Sequence, residues 1–524
     1  MKNIKYTVIA CLSMLVLGTY SCGTLDEEPV GLLAPEAVYK TPQDVANGVS
    51  GGYSLLAHEN FMGRKISLSL ILRGDMVTIG DMTTSSARIE VDQMAMSANS
   101  GMVGSFWPMG YQILAAVNYA IEGGEGLDAP EDQINPVIAE GRFLRAYVHY
   151  NFVRLFGEIP YIDFAFSDAD LAYTLPQSAE SDVYEGIIED LEYAKQWLPD
   201  VPTMRSRPGK GTAAGFLASV HLTRGDWSDA YDEAKYVIDN SGKFMYNLEA
   251  DYAALYDPSL PNASNEVMFE VNFVGNDAAG NPGSLGGANA ATDYLASVTG
   301  PRGDERFSTG EGWSVAVPAL NVFEDWDAQD YRRAVSFDTL LIYQGVSTPY
   351  TSWENIARNV SRPHIAKYFR ASGEAGTLSG NNGRDSDVDF PVMRYAEVLL
   401  IAAEALNEMN SGANAEAEGY INDIRMRARR ELDGDVSNDS AVPANVATGM
   451  SVDAFRDEVL EERRLELAFE GGRWYDIQRR QLGAEVFGAT GREPQNFNPA
   501  KDYLFPKYQA DVDRNPNLDQ NDNY

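Results

Sequence analysis

Cysteine is nearly absent from this 524-residue chain, which carries only Cys11 and Cys22. No disulfide can brace the residues beyond them, so stability must come from buried apolar surface, which a chain this long can supply. Histidine is scarce too. His58, His149, His221 and His364 show no H-E-x-x-H or other metal-ligand spacing, and His149 and His221 fall in helical apolar patterns, which speaks against a zinc site. Positive charge is also short. The chain has 41 Lys and Arg against 77 Asp and Glu, a formal net charge of −36. Such a surface repels nucleic acid and anionic headgroups and argues against a polyphosphate partner. Walker and dinucleotide glycine loops are missing. Gly48-Val-Ser50-Gly-Gly52 matches G-x-S-x-G by letter. However, Asp44, Val45 and Val49 suggest helix before the serine, where a nucleophile elbow needs a strand. Among so many carboxylates, no glycosidase pair can be singled out. Asp385-Ser-Asp387-Val-Asp389 offers oxygen ligands for Ca²⁺ but lacks the EF-hand glycine and later glutamate, so a solvated loop is the simpler reading. No cofactor is called for.

The N-terminus is more informative. Lys2 and Lys5 precede an uncharged run over 6–20, too short to span a bilayer comfortably, which reads as a secretory signal peptide. Ser21-Cys22 stands where the cleavage site belongs. Residues 1–21 are therefore expected to be removed, leaving Cys22 lipidated at the new N-terminus, although Thr19 and Tyr20 depart from the usual lipobox. The alternative is a plain secreted protein with one free thiol, a liability in an oxidising compartment. Asp26, Glu27 and Glu28 follow as an acidic tether.

Helical spacing dominates two blocks, 106–239 and 391–482. In 211–239, Ala214, Leu217, Ala218, Val220 and His221 line one face. Arg224-Gly225-Asp226 breaks the helix, and Trp227, Ala230, Tyr231, Ala234 and Val237 restart it. Small residues allow close approach and aromatics fill the remaining gap, the logic of a tetratricopeptide helix pair. A second pair is predicted over 395–407 and 416–429. A third is predicted over 451–470 and 473–480, with Gly471-Gly472 as the stop. Between the blocks, 243–389 is rich in Gly, Asn, Asp, Ser and Pro. Residues 266–273 alternate as a strand, and Gly275 opens an irregular stretch to Gly312. Long ordered loops on a rigid scaffold are commonly functional. Residues 433–449 read as an exposed insertion. With no clean linker, one mixed domain is expected over 22–524. It comprises a helical part (22–242), a loop-rich region (243–389) and a second helical part (390–524).

These segments resemble, from end to end, the SusD/RagB family of outer-membrane nutrient-binding lipoproteins. The matching pieces are Leu25-Asp-Glu-Glu-Pro29, Trp107-x-x-x-Tyr111-x-Ile113-x-x-x-x-Asn118, Glu140-Gly-Arg-Phe-Leu-Arg-Ala-Tyr147 and Leu155-Phe-Gly-Glu-Ile-Pro160. Gly211-Thr-Ala-Ala, Phe390-Pro-Val-Met-Arg-Tyr-Ala-Glu397 with Ala403-Glu-Ala405, and Ile421-Asn-Asp-Ile-Arg-x-Arg-Ala428 follow. Glu462-Arg-Arg-Leu-Glu-Leu-Ala-Phe-Glu-Gly-Gly-Arg-Trp-Tyr-Asp476 and Asn515-Pro-Asn-Leu-Asp-Gln-Asn521 close the series. The resemblance implies a mainly α fold: a SusD-like helical scaffold with tetratricopeptide-type pairs, an irregular ligand-binding region and a few short strands. It also implies a non-catalytic role at the cell surface. The protein would bind oligo- or polysaccharide and hand it to a SusC-like TonB-dependent transporter. The acidic tether is similar to the surface-export signal of Bacteroidetes lipoproteins, placing the protein on the outer face of the outer membrane. Peptide capture by the same architecture is the alternative, and a surface hydrolase is a third reading.

Most motif residues read as architecture. Glu140, Arg142 and Arg145, like Glu462, Arg463 and Glu466, can pair within or between helices, and Trp107 and Tyr111 read as packing. A sugar site wants exposed aromatic planes flanked by groups that satisfy hydroxyls. The family's site combines an early loop with the central region. Carried onto this chain, the polar candidates are Asp75, Asp81 and Arg88, joined by Tyr294, Arg302, Trp313 and Trp353. Trp313, flanked by Gly310 and Gly312, is the first choice. Trp326 has helical spacing and is expected to be buried.

Overall fold

The computed structural model describes residues 38–166, 169–256, 264–273, 293–306, 312–354, 356–368, 388–430, 440–489, 491 and 495–524. The Cys22 anchor, its acidic tether, most of the irregular stretch opened by Gly275, and Asp385 and Asp387 lie outside these residues. The principal helices of the first half are α1 (Pro42–Leu56), α2 (Lys65–Arg73), α3 (Ser86–Asp92), α4 (Val103–Glu125) and α5 (Glu131–Phe156). They are followed by α6 (Glu180–Trp197), α7 (Lys210–Arg224) and α8 (Trp227–Asp239). After the short α9 (Leu295–Thr299) and α10 (Tyr331–Ser336) come α11 (Tyr395–Asn410), α12 (Ala415–Ala428), α13 (Val452–Glu466) and α14 (Arg473–Arg479). Among the described residues, none is long and apolar enough to cross a membrane.

The expected helix pairs form, for the reasons the sequence offers. Helix α7 ends where Gly225 adopts φ +80°, a left-handed conformation that glycine enters without steric cost, and α8 restarts at Trp227. Ala214, Leu217, Ala218, Ala230, Ala234 and Val237 are buried between them and their neighbours. The second pair is stopped by Ser411 in the left-handed region and restarted by Asn414, whose side chain accepts from the Ala417 amide at 2.8 Å. These pairs stack α6 on α7, α7 on α8, α8 on α11 and α11 on α12, so each helix covers the apolar face of the next.

Among the described residues, eight short strands form four antiparallel pairs. They are β1 (Val77–Ile79) with β3 (Ala316–Pro318), β2 (Val267–Val271) with β8 (Phe390–Arg394), β4 (Phe337–Asp338) with β7 (His364–Ile365), and β5 (Leu340–Tyr343) with β6 (Val346–Pro349). Strand β2 is buried at every position, on both faces. Phe269 meets Phe143 of α5 edge-on at 5.1 Å, and Phe143 meets Phe216 of α7 at 5.2 Å. Each such contact adds about 0.5–1.5 kcal/mol beyond area burial. One apolar core thereby runs from Leu56 to Leu518.

One expectation needs correction, and two others take definite form. Helix α13 stops at Glu466, four residues before the predicted end. The chain unwinds there because outside groups take its last carbonyls. Arg394 Nη2 and the Tyr252 hydroxyl donate to the Glu466 carbonyl, and the Tyr368 hydroxyl donates to that of Phe469. The motif charges pair between elements, as Arg145 does with Asp190 and Asn118, Arg142 with Glu125, and Glu140 with Arg207. The described part of the insertion, 440–449, is held on α12. Arg429 donates to the Pro443 carbonyl at 2.6 Å, Arg425 to that of Ala444 at 3.0 Å, and the Val446 amide to Asn422 at 2.8 Å.

At the junction of β2, β8, α10, α12 and α13 lies a buried ionic lattice. The Glu466 carboxylate accepts from Arg394 at 2.9 Å and Arg332 at 3.1 Å, and also from Arg427. Glu266 accepts from Arg394 and from Arg427, the latter at 2.8 Å. Glu462 joins Arg332 at 2.6 Å to Arg425 at 2.7 Å, and Glu470 takes Arg394 at 2.8 Å and Lys367 at 2.7 Å. Burial alone would raise the Glu466 carboxyl, but Arg427, Arg394 and Arg332 outweigh it and hold it well below the ordinary carboxylate range. Glu404 of α11 is opposed by burial in the same way, yet Arg479, Arg480 and Arg463 bring it down to about 2.

Removing the Glu466 charge leaves three buried guanidinium groups undercompensated. Glu466→Gln is expected to cost about 3–5 kcal/mol, read from the urea midpoint at neutral pH. Because the Glu466 and Glu404 carboxyls are depressed in the fold, their contribution is complete above the ordinary value of 4.5. It is lost as pH falls towards about 2. The share of the thermal midpoint that these two groups contribute should therefore be constant from neutrality to about pH 5 and fall steeply below about pH 4.

Candidate functional site

Pairing of β1 with β3 brings the early loop to the central region. The register sets Val77 against Pro318, Thr78 against Val317 and Ile79 against Ala316. Just beyond it, the Gly80 amide donates to the Val315 carbonyl at 2.8 Å and that of Asp81 to the Ser314 carbonyl at 2.7 Å. Position 80 has to be glycine, since a Cβ there would lie 2.5 Å from the Ser314 oxygen. The strand carrying Trp313 is also fixed from behind. The Trp313, Ser314 and Val315 amides donate to the carbonyls of Ser297, Gly300 and Val298 at 2.6, 2.9 and 3.0 Å. This places Trp313 at the end of α9, half-buried, with its ring packed on the core.

Around the indole the structure assembles five of the seven residues proposed from sequence. Tyr294 meets Trp313 edge-on at 5.8 Å, and the Arg88 guanidinium stands 5.9 Å from the Trp313 ring. Arg302 donates to the Trp313 carbonyl at 3.0 Å and to Asp81 at 3.2 Å. Asp81 also accepts from the Thr83 hydroxyl at 2.6 Å and amide at 2.9 Å. Burial pushes the Asp81 carboxyl up, but the Thr83 bonds and the Arg358 and Arg302 charges prevail and hold it below its ordinary value. It is an ionised anchor for this loop at any physiological pH.

The other proposed residues serve the interior. Trp353 is 0% exposed. Its Nε1 donates to the Thr348 carbonyl at 2.8 Å and its ring lies 4.9 Å from His364, so it faces the core and not the ligand side. Asp75 is fully buried and takes both ends of the Arg473 guanidinium, at 2.7 and 2.9 Å, tying α14 to the segment after α2. Tyr294, although in the cluster, is buried and supports Trp313 from beneath. Trp326, Trp107 and Tyr111 are packing residues. Trp326 and Trp107 are buried, Trp107 Nε1 donates to Asp511 at 2.8 Å, and the Tyr111 hydroxyl donates to the Pro160 carbonyl at 3.1 Å.

Sequence reasoning missed Arg64, Lys65, Thr83, Arg358 and Asn359. Arg64 lies over the Tyr294 ring at 4.2 Å and pairs with Glu59. Asn359 exchanges two 2.8 Å hydrogen bonds with the Arg302 backbone. Arg358, 58% exposed, reaches the Thr83 hydroxyl at 3.1 Å from a backbone held at φ +65°. A non-glycine residue in that region is uncommon and is concentrated at functional sites. A weak signal was the basic dipeptide Arg64-Lys65, one of five adjacent basic pairs in the chain.

The nucleophile candidates do not assemble a hydrolytic site. Ser50 lies within α1, exposed, and donates to the Ala46 carbonyl at 2.8 Å. Ser314 and His364 stand 2.8 Å apart, but both are fully buried and His364 Nδ1 has no partner to orient the ring. Burial presses His364 down to about 3, against the neighbouring Arg362 backbone contact, so it stays neutral. The remaining histidines are scattered through the fold; the His149 Nε2 accepts from the Ile162 amide at 3.3 Å and the His58 Nδ1 from that of Asn60 at 2.9 Å. Asp389, the described member of the acidic triplet, accepts from Asn272 at 2.6 Å and from the Phe273 amide at 2.8 Å.

The chain has relatives among known proteins. A family profile described as "SusD family" matches residues 326–524, and one described as "Starch-binding associating with outer membrane" matches 34–222. The SusD-like protein P2 of Formosa agariphila is 47% identical over 521 residues, covering 99% of each chain. A SusD homologue of Bacteroides thetaiotaomicron superposes with a TM-score of 0.79 at 23% identity, over 94% of this chain and 98% of its own. The surface glycan-binding protein A of the same organism, solved with laminarihexaose, gives 0.73 at 18% identity over 91% and 99%. Near-complete coverage at 47% identity, on the same helical scaffold, is too extensive for a shared motif alone: the chain belongs to the SusD/RagB family.

Proposed function

We propose that this protein is a non-catalytic surface lipoprotein that binds oligo- or polysaccharide and passes it to a SusC-like TonB-dependent transporter of the outer membrane. The observation that carries the reading is the half-buried Trp313 ring, flanked by Arg88, Arg302 and Asp81 and held from behind by α9 and Tyr294. A pyranose ring presents an apolar face that an indole can cover. Its hydroxyls both donate and accept, and so can use a carboxylate and guanidinium groups together. The starch-binding description of the profile over 34–222 and the laminarihexaose complex of a structural relative support the same ligand class. Because the site is fixed by backbone bonds to a rigid scaffold, little ordering is required on binding, which suits weak, reversible capture followed by release.

The lipid anchor belongs to the same proposal. Cys22 after a 21-residue signal peptide would hold the protein on the membrane, and the acidic tether after it would direct the protein outward. One diacylated cysteine supplies enough buried methylene to keep a soluble domain at a bilayer surface.

Native affinity electrophoresis of the detergent-solubilised protein, in gels containing a panel of plant, fungal and animal polysaccharides, tests the ligand. Retardation by at least one glycan is expected, and Trp313→Ala should weaken it by about 2 kcal/mol, roughly thirtyfold in Kd. Retardation that survives the substitution would move the site, and retention of peptides alone would replace the ligand class. For the anchor, Cys22→Ser should abolish metabolic labelling with palmitate and release the protein from the membrane fraction; unchanged labelling would rule out lipidation at Cys22.

A further inference from the structure

The Trp313 site is cationic on a chain that is otherwise strongly acidic. Arg64 lies over Tyr294, Arg88 stands beside Trp313 and Arg302 donates to the Trp313 carbonyl, while Lys65 neighbours Arg64 and Arg88 and Arg358 joins through Asp81. Among the described residues, two carboxylates pair with them. Glu59 serves Arg64, and Asp81 is shared by Arg302 and Arg358. Lys65 and Arg88 have no carboxylate within ion-pair distance among the described residues; Arg88 donates to the Thr84 hydroxyl at 2.9 Å. Asp293, the acid next to Tyr294, is buried and accepts from the Leu295 amide at 2.7 Å.

Gathering like charges this way costs free energy that the fold alone does not recover. Burial, then the neighbouring Arg64 and Arg88 charges, push Lys65 down to about 8. Burial likewise lowers Arg88. A chain with 77 acidic side chains could have set one beside each of these cations, as it does for Arg145, Arg463 and Arg473 in its interior. A neutral sugar needs hydroxyl partners but gains nothing from an uncompensated positive field. An anionic group beside the Trp313 ring gains directly, and its arrival relieves the repulsion between Lys65 and Arg88. The acidic remainder of the surface would screen out polyanions lacking a ring to stack, so charge and indole act as joint requirements.

We propose that the ligand is an acidic glycan, its uronate carboxylate or sulfate ester held by Lys65 and Arg88 while an adjoining sugar ring covers Trp313. This rests on the glycan-binding reading and narrows it to a charge class. The two anion types share the chemistry of a planar or tetrahedral oxyanion meeting charge-assisted donors, and guanidinium suits either.

The test compares the detergent-solubilised full protein on affinity gels containing neutral glucans (starch, laminarin), polyuronates (alginate, pectate) or sulfated galactans. Retardation by an acidic polymer above its neutral counterparts is expected, with binding that weakens as sodium chloride rises from about 50 to 500 mM, since partly exposed ion pairs are screened. Lys65→Met and Arg88→Gln should each weaken acidic-glycan binding roughly fivefold, and Arg88→Lys should restore most of it. If either variant fails to fold, the salt dependence of the unsubstituted protein decides. Binding of neutral glucans only, or acidic-glycan binding indifferent to salt and to both substitutions, overturns the charge class and leaves glycan binding standing. Retention by no glycan, or by acidic peptides only, overturns both. Comparing uronate with sulfate gels identifies which anion is recognised.

Discussion

The contact between Arg394 and Glu466 is the constraint on which the rest of the structure depends. Arg394 ends β8 and begins α11, and Glu466 ends α13, so their pairing fixes where a strand hands over to one helix and another helix must stop. Arg427 and Arg332 complete the coordination of Glu466, and Glu266 brings in the edge of β2. Five chain segments that share no sequence proximity are thereby held to one geometry. Buried ion pairs add little net stability over an apolar replacement, but each mismatch leaves a charge unpaired in the interior. Such a lattice therefore selects one register among the many that apolar helix faces would tolerate. The early end of α13 is one result, because the terminal carbonyls it frees are consumed by Arg394 and two tyrosines.

From this junction outward the site inherits its rigidity. Helix α13 leads through the glycine turn to α14, whose Arg473 clamps Asp75 just ahead of β1. Strand β1 pairs with β3 and sets Gly80 and Asp81 against the backbone of Ser314 and Val315. The loops of the candidate site are thus hydrogen-bonded to strands, and the strands to helices locked by charge. A binding surface that must capture and release without large ordering costs benefits from this continuity. It also explains why Asp75 is essential to the architecture without facing the ligand.

Charge is partitioned by depth. In the interior, nearly every arginine of the family motifs is matched by carboxylates, as in the Arg463–Asp476 and Arg479–Glu404 pairs. At the Trp313 face Lys65 and Arg88 have no carboxylate within ion-pair distance among the described residues. The surplus of acid on the chain as a whole makes that local deficit chemically distinct, since a cationic patch on an acidic protein stands out to a ligand more sharply than it would on a neutral one.

Much of this was legible in the sequence. The α7–α8 break at Gly225, the α11–α12 turn and the family motifs follow from helical spacing and from residues whose backbone preferences are local. Asp81, Arg88, Arg302 and Trp313 could also be named, because they lie in polar or glycine-bearing loops in the positions that the family resemblance marks. What local pattern could not reveal was which loop aromatic turns inward. Trp353 and Trp313 have similar surroundings in the sequence, yet Trp353 meets His364 and the Thr348 carbonyl in the core while Trp313 is only half-buried. Asp75 likewise met its partner Arg473 across 398 positions of chain. The sequence by itself determined the helices, their stops and the stock of charges, since those depend on neighbours within a few residues. Which charges neutralise one another emerged only with the fold, because Coulomb pairing and burial depend on distance in space.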